Sequence, residues 1–321
     1  MKKFFALLSA FLAVFGLFAF AGCTPAKAQT RSVVCTIFAE YDWVRTVLGE
    51  HADRFSLTLL QDAGTDMHSY QPTVADIAAV SESDLFIYVG GESDTWVDGA
   101  LQNSRNEEQS VLCLFDALGD LVLAEEELEG AEEEHDHGHG EGEKDEHVWL
   151  SLTNAQVCVR EIAERLSAID EEYAESYAAN AEAYCKQLDK LDGRYRQTVE
   201  EAAYDTVLFG DRFPFLYMMK DYGLHYYAAF SGCSAESEAS FATIVFLANK
   251  LDELGLPAIL TIEGSAADIA ATVRGNTKSK DQAILTMDSL QSVTEQDIED
   301  GAAYLAAMEE NLAVLAQALG A

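Results

Sequence analysis

The sequence predicts an α/β protein: two Rossmann-like lobes with parallel sheets, joined by one long rigid helix. Three observations carry that expectation. Short apolar runs alternate with segments of helical apolar spacing through the first half of the chain. The same alternation returns in the last third, and strands separated by helices imply parallel pairing. Between them, Glu171 to Ala203 is dense in Ala, Glu, Lys, Leu and Tyr, and Gly193 is its one Gly or Pro.

The chain opens with Lys2 and Lys3, an apolar run from Phe4 to Ala21, and then Ala21-Gly22-Cys23. A basic start, an apolar stretch and small residues before a break describe a secretory signal peptide over residues 1–22. The small-small-Cys ending is that of a lipoprotein, with Cys23 the acylated first residue and 23–31 a lipidated tether. A membrane-spanning anchor is the competing reading of so long an apolar run. Lipid attachment would place the protein on the extracytoplasmic side of the cell membrane without spanning it.

The N-terminal lobe, 32–150, begins with expected strands at Ser32 to Phe38, Phe55 to Leu60, Leu85 to Val89 and Val111 to Leu114. Helices are expected at Tyr41 to Leu48 and Val74 to Val80. A low-complexity segment, 125–147, closes this lobe with twelve acidic residues and the histidines His135, His137, His139 and His147. Most of it holds too little apolar surface to bury and should form a loop. Residues 151–203 form a helical region containing the connecting strut, roughly 50 Å long if 171–203 is wholly helical. The C-terminal lobe, 204–321, should contribute strands at Thr206 to Gly210, His225 to Phe230, Ala258 to Ile262 and Ala283 to Leu285. Its expected helices are Phe213 to Asp221, Phe241 to Leu254, Ala266 to Arg274 and Ala302 to Leu319, with Gly255 and Pro257 marking a helix-to-strand transition.

Charge narrows the function classes. The net charge is −36, and loss of residues 1–22 would leave 18 basic against 56 acidic residues. That surface repels phosphate backbones, so nucleic acid is not an expected partner. Beyond Cys23 the cysteines Cys35, Cys113, Cys158, Cys185 and Cys233 lack CxxC spacing, which argues against a thiolate metal site and leaves any pairing open. There is no GxxxxGK[ST], HExxH or GxSxG motif, so neither nucleotide hydrolysis nor common hydrolytic chemistry is indicated.

Histidine placement is more informative. His68 sits in Gly64-Thr65-Asp66-Met67-His68-Ser69-Tyr70-Gln71-Pro72, after an expected strand and before an expected helix, where open α/β sheets hold ligands. His147 sits in Asp145-Glu146-His147-Val148-Trp149-Leu150, where the acidic segment returns to apolar sequence. His135, His137 and His139, interleaved with carboxylates, suit weak secondary capture of cations.

GxDxHSYxPT followed by DxHVWL resembles the substrate-binding proteins of zinc and manganese ABC importers, and the resemblance covers the whole chain. It implies metal ligation by His68 and His147. The third ligand of that family comes from the segment Phe209 to Tyr217, where this chain offers Asp211 in place of the usual His or Glu. The fourth corresponds to Asp288, and Glu263, also ending an expected strand, is the reserve. The spacings of 79, 64 and 77 residues (68, 147, 211, 288) form no local motif, and only a fold that brings two lobes together assembles them. Two imidazoles with two carboxylates suit Zn2+, with Mn2+ the alternative, and not an all-oxygen calcium or magnesium cage. The resemblance further implies a monomer that delivers metal to a membrane permease with a separate ATPase. A metal-dependent adhesin and a metallohydrolase are the competing classes; four protein ligands would close the metal to substrate, which argues against an enzyme.

Overall fold

Residues 30–62, 64, 66–130, 143–232 and 239–321 are described by the computed structural model. The signal peptide, Cys23, the loop histidines His135, His137 and His139, and Cys233 lie outside them.

The first lobe is β1 (Arg31–Cys35), α1 (Phe38–Leu48), β2 (Phe55–Leu59), α2 (Val74–Glu82), β3 (Leu85–Tyr88), α3 (Val97–Leu101), β4 (Ser110–Cys113) and α4 (Leu114–Leu118). Its four strands are all parallel in the order β2-β1-β3-β4. The expected strand over Ser32 to Phe38 stops at Cys35, and the helix expected from Tyr41 starts at Phe38. Glu40 is the cause. Its carboxylate reaches back to accept from the Thr36 and Ile37 amides at 2.9 and 3.4 Å, closing a tight turn that apolar pattern alone cannot distinguish from more strand. Thr73 caps α2, with Asp76 bonding back to the Thr73 amide.

The acidic segment is tied at its root. Ala124 and Lys144 form an antiparallel bridge, flanked by Glu125 N–H to Glu143 O and Asp145 N–H to Leu123 O, both 3.0 Å. That clamp fixes where the chain emerges at His147. A 3-10 turn over Val148–Leu150 then leads into α5 (Leu152–Ile169), whose first turn is capped by Ser151. The long helix α6 runs Ala174–Glu201, 28 residues, after a separate 3-10 turn over Glu171–Tyr173. Asp170 sits at the junction, accepting both guanidinium nitrogens of Arg54 at 2.8 Å and the Tyr177 hydroxyl at 2.7 Å.

The second lobe repeats the plan with β5 (Thr206–Phe213), α7 (Leu216–Tyr222), β6 (His225–Ser231), α8 (Phe241–Leu254), β7 (Ala258–Ile262), α9 (Asp268–Asn276), β8 (Ala283–Met287), α10 (Glu295–Glu299) and α11 (Tyr304–Leu319). Its sheet is also parallel, in the order β6-β5-β7-β8. Every residue of β7 is buried, as expected of a strand covered on both faces. The helix expected from Phe213 begins three residues later, because Pro214 holds Phe213 in extended conformation.

Helix α6 packs against α5, α1, α11 and α7. One apolar cluster runs under both sheets, from Val33 through Trp149 to Leu319. At the seam, Trp149 donates its indole N–H to Ser289 O (2.9 Å), and Tyr304 donates to Trp149 O (2.6 Å) while meeting Trp43 edge-on at 5.1 Å. A core this continuous resists wide hinge opening, since packed interiors have few alternative arrangements. Among the described residues Cys35, Cys113, Cys158 and Cys185 are free thiols.

Glu40 stores a pH dependence in this core. It is fully buried, and burial together with the charge of Asp94 pushes its pKa up to about 8, against the turn amides that favour the ionised form. The unfolded carboxyl ionises near 4.5. From there up to about 8 the folded state keeps a proton that the unfolded state loses, so stability falls as pH rises through that window. Glu40→Gln should therefore melt higher than the parent at pH 8, with a smaller difference at pH 5. Parallel melting-temperature profiles for the two proteins would contradict this assignment.

Candidate metal centre

Most of the candidate residues stand at carboxyl ends of strands: His68 after β2, Asp211 in β5, Glu263 after β7 and Asp288 after β8. His68 lies on a 3-10 turn, Met67–Ser69, after β2; Asp66 caps that turn by accepting the His68 amide at 3.0 Å. His147 emerges from the clamped root of the acidic segment and is wholly buried. These two imidazoles, 79 residues apart, meet with their Nε2 atoms 3.2 Å from one another.

Hydrogen bonds behind each ring explain why those nitrogens face each other. The Nδ1 of His147 lies 3.1 Å from Asp145 Oδ1, an acceptor-only oxygen, so the network assigns the proton to Nδ1. The same Asp145 oxygen accepts the His147 amide at 2.9 Å. His68 is held similarly. Its Nδ1 lies 3.0 Å from Ser93 Oγ and 3.3 Å from Glu146 Oε2, and Ser93 in turn donates its amide (2.8 Å) and hydroxyl (2.5 Å) to Glu146. Both Nε2 lone pairs are thus free and converge. Carboxylates on the far nitrogens are the usual support for metal-binding histidines.

Backbone shape makes room for this arrangement. Gly91, at φ +88°, lies so close to Glu146 that a Cβ there would stand 2.3 Å from its carboxylate. Gly232, just beyond β6, packs on the His147 ring, where a Cβ would lie 2.7 Å from Phe213 O and 3.0 Å from His147 Cε1. It also lines a small recess with Glu125, Glu126, Asp145 and Tyr226 at the root of the acidic segment.

Electrostatics set the protonation. Burial alone would lower the His147 pKa, but the charges of Asp145, Glu146 and Asp66 outweigh it and leave the pKa raised. Burial would raise that of Glu146, yet hydrogen bonds from His68 and Ser93 leave it lowered.

The remaining sequence candidates stand at neighbouring strand ends without joining the imidazole pair. Asp211 is buried near the end of β5, its oxygens accepting the Arg212 amide (2.9 Å) and the Ile262 amide (3.4 Å). Asp288 follows β8, accepting the Leu290 amide at 2.7 Å; burial and then the charge of Glu263 push its pKa up to about 6. Glu263 accepts the Ser289 amide (2.8 Å) and hydroxyl (2.5 Å), so it braces the loop that carries Asp288. Among the described residues, no three of His, Cys, Asp and Glu form a group able to hold a metal ion. The site is therefore an assembled imidazole pair with carboxylates placed around it.

Sequence reasoning passed over Ser93, Asp145, Glu146 and Arg212. Asp145 and Glu146 stand directly before His147, and that adjacency was the available signal. Ser93 had none.

The donor geometry suits a small divalent ion. Two nitrogens each bound about 2.0–2.1 Å from a tetrahedral zinc stand about 3.3 Å apart, close to the observed separation. Gly232→Ala should push the His147 ring away and weaken zinc binding about tenfold with the fold intact. Competition titration against a chromophoric chelator measures the effect; an unchanged affinity would show that the Gly232 contact does not position the ring.

The chain is 32% identical to the zinc-binding lipoprotein AdcA of Streptococcus pneumoniae (strain ATCC BAA-255 / R6) over 326 residues, covering 99% of this chain and 61% of that protein. The chain thus spans under two thirds of the length of AdcA. It is 30% identical to the high-affinity zinc uptake system protein ZnuA of Bacillus subtilis (strain 168) over 303 residues, covering 93% of this chain and 90% of that protein. Among solved structures, zinc-bound AdcA from Streptococcus pneumoniae superposes with a TM-score of 0.71 at 28% identity, covering 91% of this chain and 58% of that one. The profile of ZnuA, the periplasmic component A of zinc-uptake complexes, matches residues 33–318. With that match spanning both lobes, the chain belongs to the ZnuA family.

Proposed function

We propose that the protein is an extracytoplasmic solute-binding lipoprotein that captures a divalent transition metal, zinc in preference to manganese. It would pass that metal to the permease of an ABC importer whose separate ATPase drives uptake. The observation that carries this reading is the convergence of the His68 and His147 Nε2 atoms at 3.2 Å, each ring held from behind by a carboxylate. Family membership supports the transport role, and the names of the relatives support zinc.

The residues divide the work. His68 and His147 bind through neutral Nε2 atoms, while Asp145, Ser93 and Glu146 keep the protons on the opposite nitrogens. Asp211 and Asp288 complete the donor set after a small shift of their strand-end loops, with Glu263 in reserve. An arriving dication favours the ionised form of Asp288, which its pKa of about 6 already makes the main form at neutral pH. Four protein donors leave no open position for a metal-activated water, so the protein acts as a carrier and not as an enzyme. In the same reading His135, His137 and His139 gather cations weakly above the clamped root of their loop, Cys23 carries the lipid, and one monomer makes one site.

Elemental analysis and competition titration test this. We expect one tightly held zinc per molecule, and binding weakened about 100-fold or more in His68→Ala and in His147→Ala. The chelator-treated protein should stay folded and melt lower than the loaded form, as a receptor does and a metal-nucleated fold does not. Full zinc retention by the double variant His68→Ala/His147→Ala would overturn the reading.

A further inference from the structure

One basic side chain of the second lobe reaches the turn that carries His68. Arg212, in β5 of the second lobe, donates from a guanidinium nitrogen to Asp66 Oδ2 at 2.7 Å. Asp66 belongs to the first lobe, and its other oxygen accepts the His68 amide and holds the turn that carries His68. Both side chains of the pair are mostly shielded from solvent, 28% and 16% exposed, so their charges are only partly screened. Asp66 is also among the charges felt by His147. Three carboxylates therefore surround the two rings, Asp66, Asp145 and Glu146, with Arg212 paired to the first of them.

We propose that Arg212 is an affinity-setting counter-cation of the metal site. This inference rests on the carrier reading above. Asp66, Asp145 and Glu146 bring three negative charges close to the rings, beyond those of the proposed ligands Asp211 and Asp288, and Arg212 offsets one of them. A metal held near a guanidinium is easier to give up than one that faces the carboxylates alone. A carrier needs that property, because an ion bound too firmly is not handed on. Without Arg212 the same carboxylates would face the ion unopposed. The ion pair also ties the His68 turn to the second lobe, so the two possible roles of the residue predict opposite outcomes. Charge compensation predicts tighter binding on its removal, whereas a merely structural tie predicts a looser turn and weaker binding.

The test compares the full-length parent with Arg212→Gln and Arg212→Lys. Zinc affinity is read by chelator competition, release rate by stopped-flow mixing with excess chelator, and melting temperature with and without zinc. We expect Arg212→Gln to bind zinc about tenfold more tightly and release it more slowly, with the gap narrowing at high salt. Its metal-free form should melt lower, because Asp66 is left unpaired among like charges. Arg212→Lys keeps the charge and should restore affinity and release rate to near those of the parent. Unchanged or weaker zinc binding by Arg212→Gln, beside a tightly binding parent, would overturn the inference alone. Absence of tight binding in the parent would remove the carrier reading and this inference with it.

Discussion

Two imidazole nitrogens with free lone pairs, held face to face, form the constraint on which the rest of the molecule depends. Bare lone pairs at that separation repel unless a metal ion or a shared proton lies between them, so the neutral rings alone would not come together. The carboxylates behind them hold them there. Asp145 and the Ser93–Glu146 pair fix both protons on the outer nitrogens and aim the inner ones at a common point. Those carboxylates are in turn fixed by backbone: the paired root of the acidic segment holds Asp145, and the glycine at position 91 lets the chain pass close against Glu146.

The two lobes serve that geometry by staying together. Trp149 lies two residues beyond His147 and bonds to the loop after β8, while Tyr304 bonds to Trp149 and packs on Trp43. The seam is thus continuous with the chain that carries the second imidazole. Asp211 and Asp288 stand in strand-end positions engaged by local amides, and the Arg212–Asp66 contact joins the second lobe to the His68 turn. The long helix α6 backs both lobes, which suits small displacements in front of it.

Much of this was legible from residues alone, for physical reasons that differ by element. Strands such as Ala258–Ile262 were readable because a doubly covered strand must be apolar throughout. The pairing of His68 with His147 was readable only through the resemblance carried by GxDxHSYxPT and DxHVWL, since neither segment alone specifies a partner 79 residues away. The start of α1 was not, since Ile37 and Phe38 suit a strand as well as a helix and the deciding bond comes from Glu40. The split between the turn over Glu171–Tyr173 and α6 was hidden as well, because Asp170 is anchored by Arg31 and Arg54 from distant sequence. Ser93 and Arg212 act on His68 only through space, and no local pattern encodes such a contact.

X-ray absorption at the zinc edge of the loaded protein tests the central claim most directly. The account predicts a shell of nitrogen and oxygen donors near about 2.0 Å, with outer-shell scattering from two imidazole rings. A shell containing sulfur, or one without imidazole scattering, would contradict it.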